Sequence, residues 1–380
     1  MIMVSRRMFL KTGAASLLVV AASGAWWGGT RSPEKALAPW RDAGAGYGDP
    51  RLDALAYAVL APNPHNRQPW KVELVGQDAF TLICDLDRRL PDTDPFDRQI
   101  TVGLGCFLEI FRMAAEAQGQ GVVIEPFPDG TPSERLDDRP VVRVTVTAAE
   151  AKHDPLFDAV LERRSNKEVY NTGRGVSPVL FSKLTTSAAV GGTLDRARVA
   201  ELRDLSWRAH QTEMLTPRTL QESVDLMRFG KSEVEANPDG IDFSGAKFEL
   251  FHKTGILTRE SLSEQKSEAF RQGMDMYREK LFSAMGYLWL KSQGNERYAQ
   301  LDAGRTWVRL NLQATKLGLA VHPLSQALQE YPEMSDLYSE IHEKLNVSGA
   351  ERVQMFARVG YAPRVAPKPR WPLKTRLVSA

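Results

Sequence analysis

The stretch "LAPNPHNRQPWKVEL", Leu60–Leu74, sets prolines around a histidine and two asparagines, then runs through Gln68 and Trp70 into an alternating segment. Proline fixes φ and lacks a backbone donor, so Pro62, Pro64 and Pro69 make this a stiff, non-helical loop. Such a loop suits holding something flat and polar in place. Upstream, "DPRLDALAYAVLA" carries Leu52, Leu55, Ala56, Val59 and Leu60 at helical spacing and stops at Pro62, which predicts a helix. Downstream, "WKVELV" and "AFTLICDL" alternate at period two and predict a hairpin. A helix over 97–117 ending at Gly119 and strands near 122–126 and 141–147 complete a first unit, 49–150.

A second unit, 151–373, starts at "HDPLFDAVLERRSNKEVY". Helices are expected before Arg163, through "SPVLFSKLTTSAA", and through the amphipathic "DRARVAELRDLSWRAHQTEMLT", with "ERRSNKEVY" extended or turning just past the first. The charged, Gly- and Pro-interrupted region 230–294 has weak periodicity and reads as a lid or insertion. "YAQLDAGRTWVRLNLQATKLGLAV" then predicts a helix with Trp307, Leu310, Ala314 and Leu317 on one face. Gly105 and Gly119 are spaced as Gly304 and Gly318 are, and at the same offset Ala115 meets Ala314 and Val122 meets Val321. That pattern, with the shared order of elements, reads as an internal repeat. Gly103-x-Gly105 is no dinucleotide fingerprint, because no strand precedes it and Leu108 stands where a third glycine belongs. It reads as helix packing.

The 380 residues carry a net charge of +2 with interspersed signs, so no basic stripe marks a nucleic-acid partner. Six scattered histidines, with no HExxH and no Cys/His cluster, give no metal site. Cys84 and Cys106 read as two free, buried thiols. At the start, "SRRMFLK" (Ser5 to Lys11) precedes an apolar run to about Trp27. This is the layout of a twin-arginine export signal, matched at Arg6, Arg7, Phe9, Leu10 and Lys11. Residues 1–38 are therefore expected to be signal and linker, with the twin-arginine (Tat) export machinery as a partner. The expected location is the periplasm, with the uncleaved segment as an available membrane anchor. Ala36-Leu37-Ala38 has the small-x-small cleavage form, but Pro39 follows it.

Two further stretches carry chemistry. "ERRSNKEVY" puts Arg163, Ser165 and Lys167 at alternating positions, with Arg164 between, and "APKPRWPL" sets Lys368 and Arg370 in a proline-stiffened segment. Arginine binds phosphate through a planar fork, and lysine acts as a compact charge.

"APNPHNRQPW", "RRSNK", "GLAVHPLSQ" and "VGYAPRVAPKPR" together resemble the motifs of the FMN-dependent nitroreductase superfamily. Ordinary members place the Arg-x-Ser motif before the Gln-Pro-Trp loop in one short chain and dimerise. Here the order is reversed, which resembles the Acg-type branch, where one chain holds two nitroreductase-like halves. The resemblance implies an α+β, three-layer α-β-α fold with two fused halves forming an internal pseudo-dimer. It also implies FMN as cofactor. Carried over, Arg163, Arg164 and Ser165 hold the phosphate with Lys368 and Arg370, and Lys167 sits at the pyrimidine end of the flavin. Pro62, Asn63, Pro64 and Asn66 line the ring, Gln68 and Trp70 fix the loop, and the backbone N–H groups of Ser325 and Gln326 stand near N5. Two departures are Asn63 in place of the usual serine, and Ser325-Gln326 in place of the usual acidic residue and glycine. The implied activity is an oxidoreductase passing hydride or electrons from a small-molecule donor to a flat acceptor such as a nitroaromatic or quinone. The competing reading is an FMN storage, sequestration or sensing protein with a covered site.

Overall fold

The computed structural model describes residues 32–378; the expected export signal lies outside them. Helix α1 (Glu34–Asp42) buries Ala36, Pro39 and Trp40, so the Ala36-Leu37-Ala38 motif lies within a packed helix. Helix α2 (Pro50–Ala58) starts with Pro50 at its first position and Asp49 capping the Arg51 N–H, a standard stabilised start. After the loop come β1 (Trp70–Val75), β2 (Ala79–Cys84), α3 (Arg98–Ala117), β3 (Gly121–Pro126) and β4 (Pro140–Thr147). The second half begins with an irregular stretch. The helix expected before Arg163 is a single 3₁₀ turn, Phe157–Ala159, and Arg163–Lys167 is irregular, non-helical chain, in line with its expected extended or turning form. "SPVLFSKLTTSAA" is helical only over Pro178–Ser182.

Then follow β5 (Val190–Thr193), α4 (Arg196–Leu215) and α5 (Pro217–Asp225). An excursion comprises β6 (Met227–Phe229), α6 (Gly230–Ala236), β7 (Ile241–Phe243), α7 (Ala246–Lys253) and α8 (Arg259–Ser263). Helix α9 (Glu268–Phe282), β8 (Gly286–Gln293), α10 (Arg297–Lys316), β9 (Ala320–Pro323), α11 (Ser335–Lys344), β10 (Glu351–Gly360) and β11 (Leu377–Val378) complete the chain. The region 230–294 is thus not a single lid. Its last part is β8, a central strand of the second sheet. Buried on both faces over much of its length, "GYLWLKSQ" shows no clean alternation.

One sheet has the order β11-β1-β2-β4-β3 and the other β5-β8-β10-β9. Leaving β11 aside, the orders superpose under β1→β5, β2→β8, β4→β10 and β3→β9, and every matched pairing is antiparallel. The long helices α3 and α10 occupy matching places and pack on each other. At the crossing a Cβ on Gly105 would stand 3.0 Å from the Gly304 Cα, and one on Gly304 would stand 2.9 Å from the Gly105 Cα. Glycine is required there because the two backbones touch. The 199-residue offset read in the sequence is therefore realised as a reciprocal contact. Gly119 and Gly318 end their helices at φ +76° and +68°, the left-handed stop glycine favours. The shared core fills the space between the sheets, with Trp70, Phe107, Phe111 and Trp307 among its large side chains. Cys84 and Cys106 are free and buried, and among the described residues no helix is long and apolar enough to cross a membrane.

Candidate cofactor site

The loop read first in the sequence lies between α2 and β1. Asn63 braces it internally: its amide donates to the Ala61 carbonyl (3.1 Å) and its Oδ1 accepts from the Gln68 N–H (2.7 Å). His65, Asn66 and Gln68 sit at φ 46°, 53° and 53°, a left-handed region costing ordinary residues about 1 kcal/mol each. Long-range bonds hold this strain. The C-terminal tail donates from Arg370 Nη1 to Asn66 Oδ1 (2.6 Å) and from the Trp371 N–H to Gln68 Oε1 (2.8 Å). The excursion accepts at the Pro238 carbonyl from Gln68 Nε2 (2.7 Å). Gly103 of α3 lets the loop approach, since a Cβ there would stand 3.1 Å from the Asn63 Cβ. Trp70 is fully buried against Phe107.

Three arginines converge behind this loop. Arg163 Nη2 and Arg370 Nη2 both donate to the Leu60 carbonyl, at 3.2 and 3.1 Å. Arg164 lies 4.6 Å and Arg370 5.4 Å from the Trp40 ring centre. Nε of Arg163, Arg164 and Arg370, and Nη1 of Arg163, are buried without a hydrogen-bond partner. Among the described residues no carboxylate pairs with any of the three. Burial, then the neighbouring Arg164, lowers Arg163 to about 10, and burial with both neighbours pushes Arg370 well down. Unpaired buried cations are costly, several kcal/mol each in real interiors, and forks with free N–H groups match an anion's oxygens. The donor set therefore fits a phosphate. Ser165, half-buried, follows directly.

Lys167 lies further along the same cleft, reached by solvent but ringed by protein. Burial, then the charges of Lys368 and Lys280, lowers it to about 8, with Glu213 opposing. His65 faces the same cation and is held neutral, at about 4, by burial first. The Lys368 ammonium does not join the arginines; it pairs with Asp242 of β7 at 3.1 Å. Beyond β9, the Leu324 N–H is used by Phe356 (2.8 Å). The N–H groups of Ser325 and Gln326 carry no hydrogen bond among the described residues. Beneath them His322 Nδ1 accepts from Arg358 Nε (3.0 Å), and Arg358 also bonds Ser283 Oγ and the Glu168 carbonyl. Buried Arg358 thus ties the Lys167 segment to β9 and α9.

The structure therefore brings Asn66 and Arg370 together with Arg163 and Arg164, and sets Lys167 near His65 and Glu213, with Gln326 beside Glu213; Ser165 and Ser325 adjoin these groups in sequence. Sequence reading misses Trp40, which lies between the expected linker (1–38) and first half (49–150), and the buried pair His322–Arg358. It also missed Glu213 and Tyr277, which face the cleft from helices with no motif of their own. An aromatic and buried residues at Ala36 and Trp40, four apart, were the available signal for α1.

No family model matches this sequence. The chain is similar to two proteins of Mycobacterium tuberculosis that carry the provisional name NAD(P)H nitroreductase. One, acg, is 26% identical over 325 residues, 83% of this chain and 90% of that protein. The other, Rv3131, is 25% identical over 319 residues, 81% and 84% of the two chains. Among solved structures, one described as a nitroreductase from Anabaena variabilis aligns at 12% identity with a TM-score of 0.42, covering 82% of this chain and 88% of that one.

Proposed function

We propose that the protein is an FMN-binding oxidoreductase of the nitroreductase type, built as an internal pseudo-dimer with its flavin site between the halves. The observation that carries this reading is the cluster of buried Arg163 and Arg370 with half-buried Arg164, without a carboxylate among the described residues and with buried N–H groups unspent. The similarity to two proteins named as NAD(P)H nitroreductases supports it. Arg163, Arg164, Ser165 and Arg370 would hold the phosphate, with the loop from Pro62 to Gln68 as one wall of the ring site. When bound, FMN supplies two-electron chemistry, taking hydride from a donor and giving it to an acceptor. The chain's own part is positioning and electrostatics. The Lys167 cation would stabilise negative charge developing at the pyrimidine end, a preorganised stabilisation. The free N–H groups of Ser325 and Gln326 offer donors toward the central ring. Nitroaromatics and quinones are the acceptor class that a flat cleft of this kind takes.

One observation favours a second reading, FMN sequestration or sensing. The excursion is bonded to the loop by Pro238 and to the tail by Asp242, so it can act as a cover. An anaerobic absorbance titration with NADH, NADPH and then dithionite decides between them. Bleaching by a nicotinamide supports the reductase; bleaching by dithionite alone supports the covered site or a different reductant. Failure to take up flavin at all overturns both. We further propose export by the twin-arginine route to the periplasm, from residues 5–27. Replacing Arg6 and Arg7 by lysine and fractionating cells tests this, with retention in the cytoplasm expected.

A further inference from the structure

Behind Gln326 lies a set of buried polar groups that the cofactor reading leaves unused. Glu213, on α4, is 2% exposed, and its Oε2 has no hydrogen-bond partner. His210 Nδ1 one turn earlier, Gln329 Oε1 and the Tyr331 hydroxyl are likewise buried and unpartnered. The amides of Gln326 and Gln329 stand beside the Glu213 carboxyl. Tyr277 of α9 reaches in from the far wall: its ring stacks on His210 at 3.8 Å and meets His322 edge-on at 6.1 Å. The residue as a whole is half-buried, and its hydroxyl stands between the Glu213 charge and the Gln326 amide. Unsatisfied polar atoms gathered this densely are uncommon in a folded interior, and functional sites are where they occur.

We propose that Tyr277 and Glu213 form a proton relay serving the acceptor bound in this cleft, with Tyr277 as the catalytic donor and Glu213 as the positioning acid that resupplies it. The proposal rests on the flavin reading above. Reduction of a quinone to a hydroquinone takes two electrons and two protons. A hydride brings both electrons and one proton, so one further proton is needed, and the relay supplies it. In the relay the Tyr277 O–H proton goes to the acceptor oxygen, the Glu213 carboxyl proton goes to the Tyr277 oxygen, and solvent returns a proton to Glu213. The groups facing Glu213 are Lys167, Tyr277, Tyr331, Gln326, Gln329 and, from α5, Glu222. Burial, then Glu222, raises its carboxyl to about 7 against the opposing amides and Lys167, so it holds a proton at and below neutrality. The Tyr277 hydroxyl is raised by burial and by Glu213, so it gives its proton only if one is returned. An acid poised near the working pH is the most effective donor.

The test uses the full protein, wild type, E213Q and Y277F, loaded with FMN, reduced by dithionite and mixed anaerobically with p-benzoquinone. Glu213→Gln keeps size and neutrality, and Tyr277→Phe keeps the ring. Flavin uptake is measured first, and all three forms are expected to bind equally. For wild type, the rate of flavin reoxidation at saturating quinone should fall about tenfold per pH unit above pH ~7. Both variants should be slower below pH 7, lack that limb and keep the same half-saturating quinone concentration. Infrared spectra of the flavin-free protein give an independent readout. A protonated-carboxyl band present at pH 6 should be lost by pH 8, and should be absent throughout in E213Q. A wild-type protein that takes up no flavin overturns the parent reading. Flavin uptake with a wild-type pH limb retained in E213Q overturns the relay alone, as does a carboxyl band unchanged by E213Q.

Discussion

The connections leaving β3 and β9 occupy matching places in the two halves and begin with the same bonds, yet they end in opposite chemistry. After Pro126 the Phe127 N–H donates to Val141, and after Pro323 the Leu324 N–H donates to Phe356, both at 2.8 Å. The next residues are Pro128 and Asp129 in the first half, Ser325 and Gln326 in the second. Proline has no N–H to offer, so only the second connection presents two free donors in a row. Charge follows the same division. In the first half Asp97, wholly buried, meets Arg135 at 3.0 Å and Arg89 at 3.6 Å, so these arginines are spent on structure. Arg163, Arg164 and Arg370 have no such partner. The tail adds a further difference: β11 pairs with β1, and among the described residues no strand covers the equivalent edge of β5, which is short and carries Gly191 and Gly192. A duplicated frame thus carries two such connections, and the one in the second half keeps its donors free.

The largest effect is expected where the halves meet. Gly304→Ala sets a methyl group 2.9 Å from both the Gly105 Cα and the Cys106 nitrogen. Backbone cannot yield as a side-chain tip can, so overpacking should cost about 3 kcal/mol. Gly318→Ala is the control: at φ +68° with nothing within 4 Å, it should cost about 1 kcal/mol through backbone strain alone. Urea unfolding at unchanged slope measures both. Equal losses would mean that the crossing is not what holds the halves together.

Next comes the charge contrast, where the two halves should respond with opposite sign. Arg163→Met removes a cation bonded only to the Leu60 carbonyl. Losing a charge-assisted bond to phosphate, about 1.5–3 kcal/mol, should weaken FMN roughly 10- to 150-fold. The flavin-free protein should melt no lower than wild type, because a buried unpaired charge has gone. Arg135→Met should do the reverse, lowering the melting temperature by stranding Asp97 while leaving flavin affinity unchanged. Calorimetry and fluorescence titration of both variants check the pair. A flavin-free R163M protein that melts well below wild type would show Arg163 to be structural.

Much of the frame was legible because it is written in local patterns. The proline loop, the period-two hairpin, and the glycines at a fixed offset in α3 and α10 each reflect a constraint visible within a few residues. What stayed hidden depended on distant partners. "GYLWLKSQ" is covered on both faces by elements far along the chain, so it lacks the alternation of a half-exposed strand. The segment before Arg163 has helical spacing but keeps only the turn Phe157–Ala159, and just beyond it Asn166 is held by bonds to the Val321 and Pro363 carbonyls, so tertiary contact overrides propensity. Lys368 was grouped with Arg370 by alternation, whereas Asp242, more than a hundred residues earlier, takes its ammonium. Glu213 lies on a helix with a polar face, and nothing in "AHQTEML" distinguishes a carboxylate in solvent from one sealed under two glutamines.

The smallest effect is the most specific to the comparison, since it converts one connection into the other. Ser325 has φ −88°, close to the range proline imposes, and its N–H is not needed by the fold. Ser325→Pro therefore copies Pro128 into the second half at little structural cost. If that N–H faces the flavin, one neutral hydrogen bond is lost, about 0.5–1.5 kcal/mol, and FMN should bind roughly 2- to 12-fold more weakly with the melting temperature of the flavin-free protein unchanged. Pro128→Ser is the reciprocal change. It restores a donor to the half in which Arg135 and Arg89 are paired with Asp97, so flavin stoichiometry should remain one per chain. A second equivalent bound by P128S would mean that the missing donor, and not the paired charge, is what silences the first half. An unaltered affinity in S325P would remove the Ser325 N–H from the site and leave Gln326 as the donor to examine.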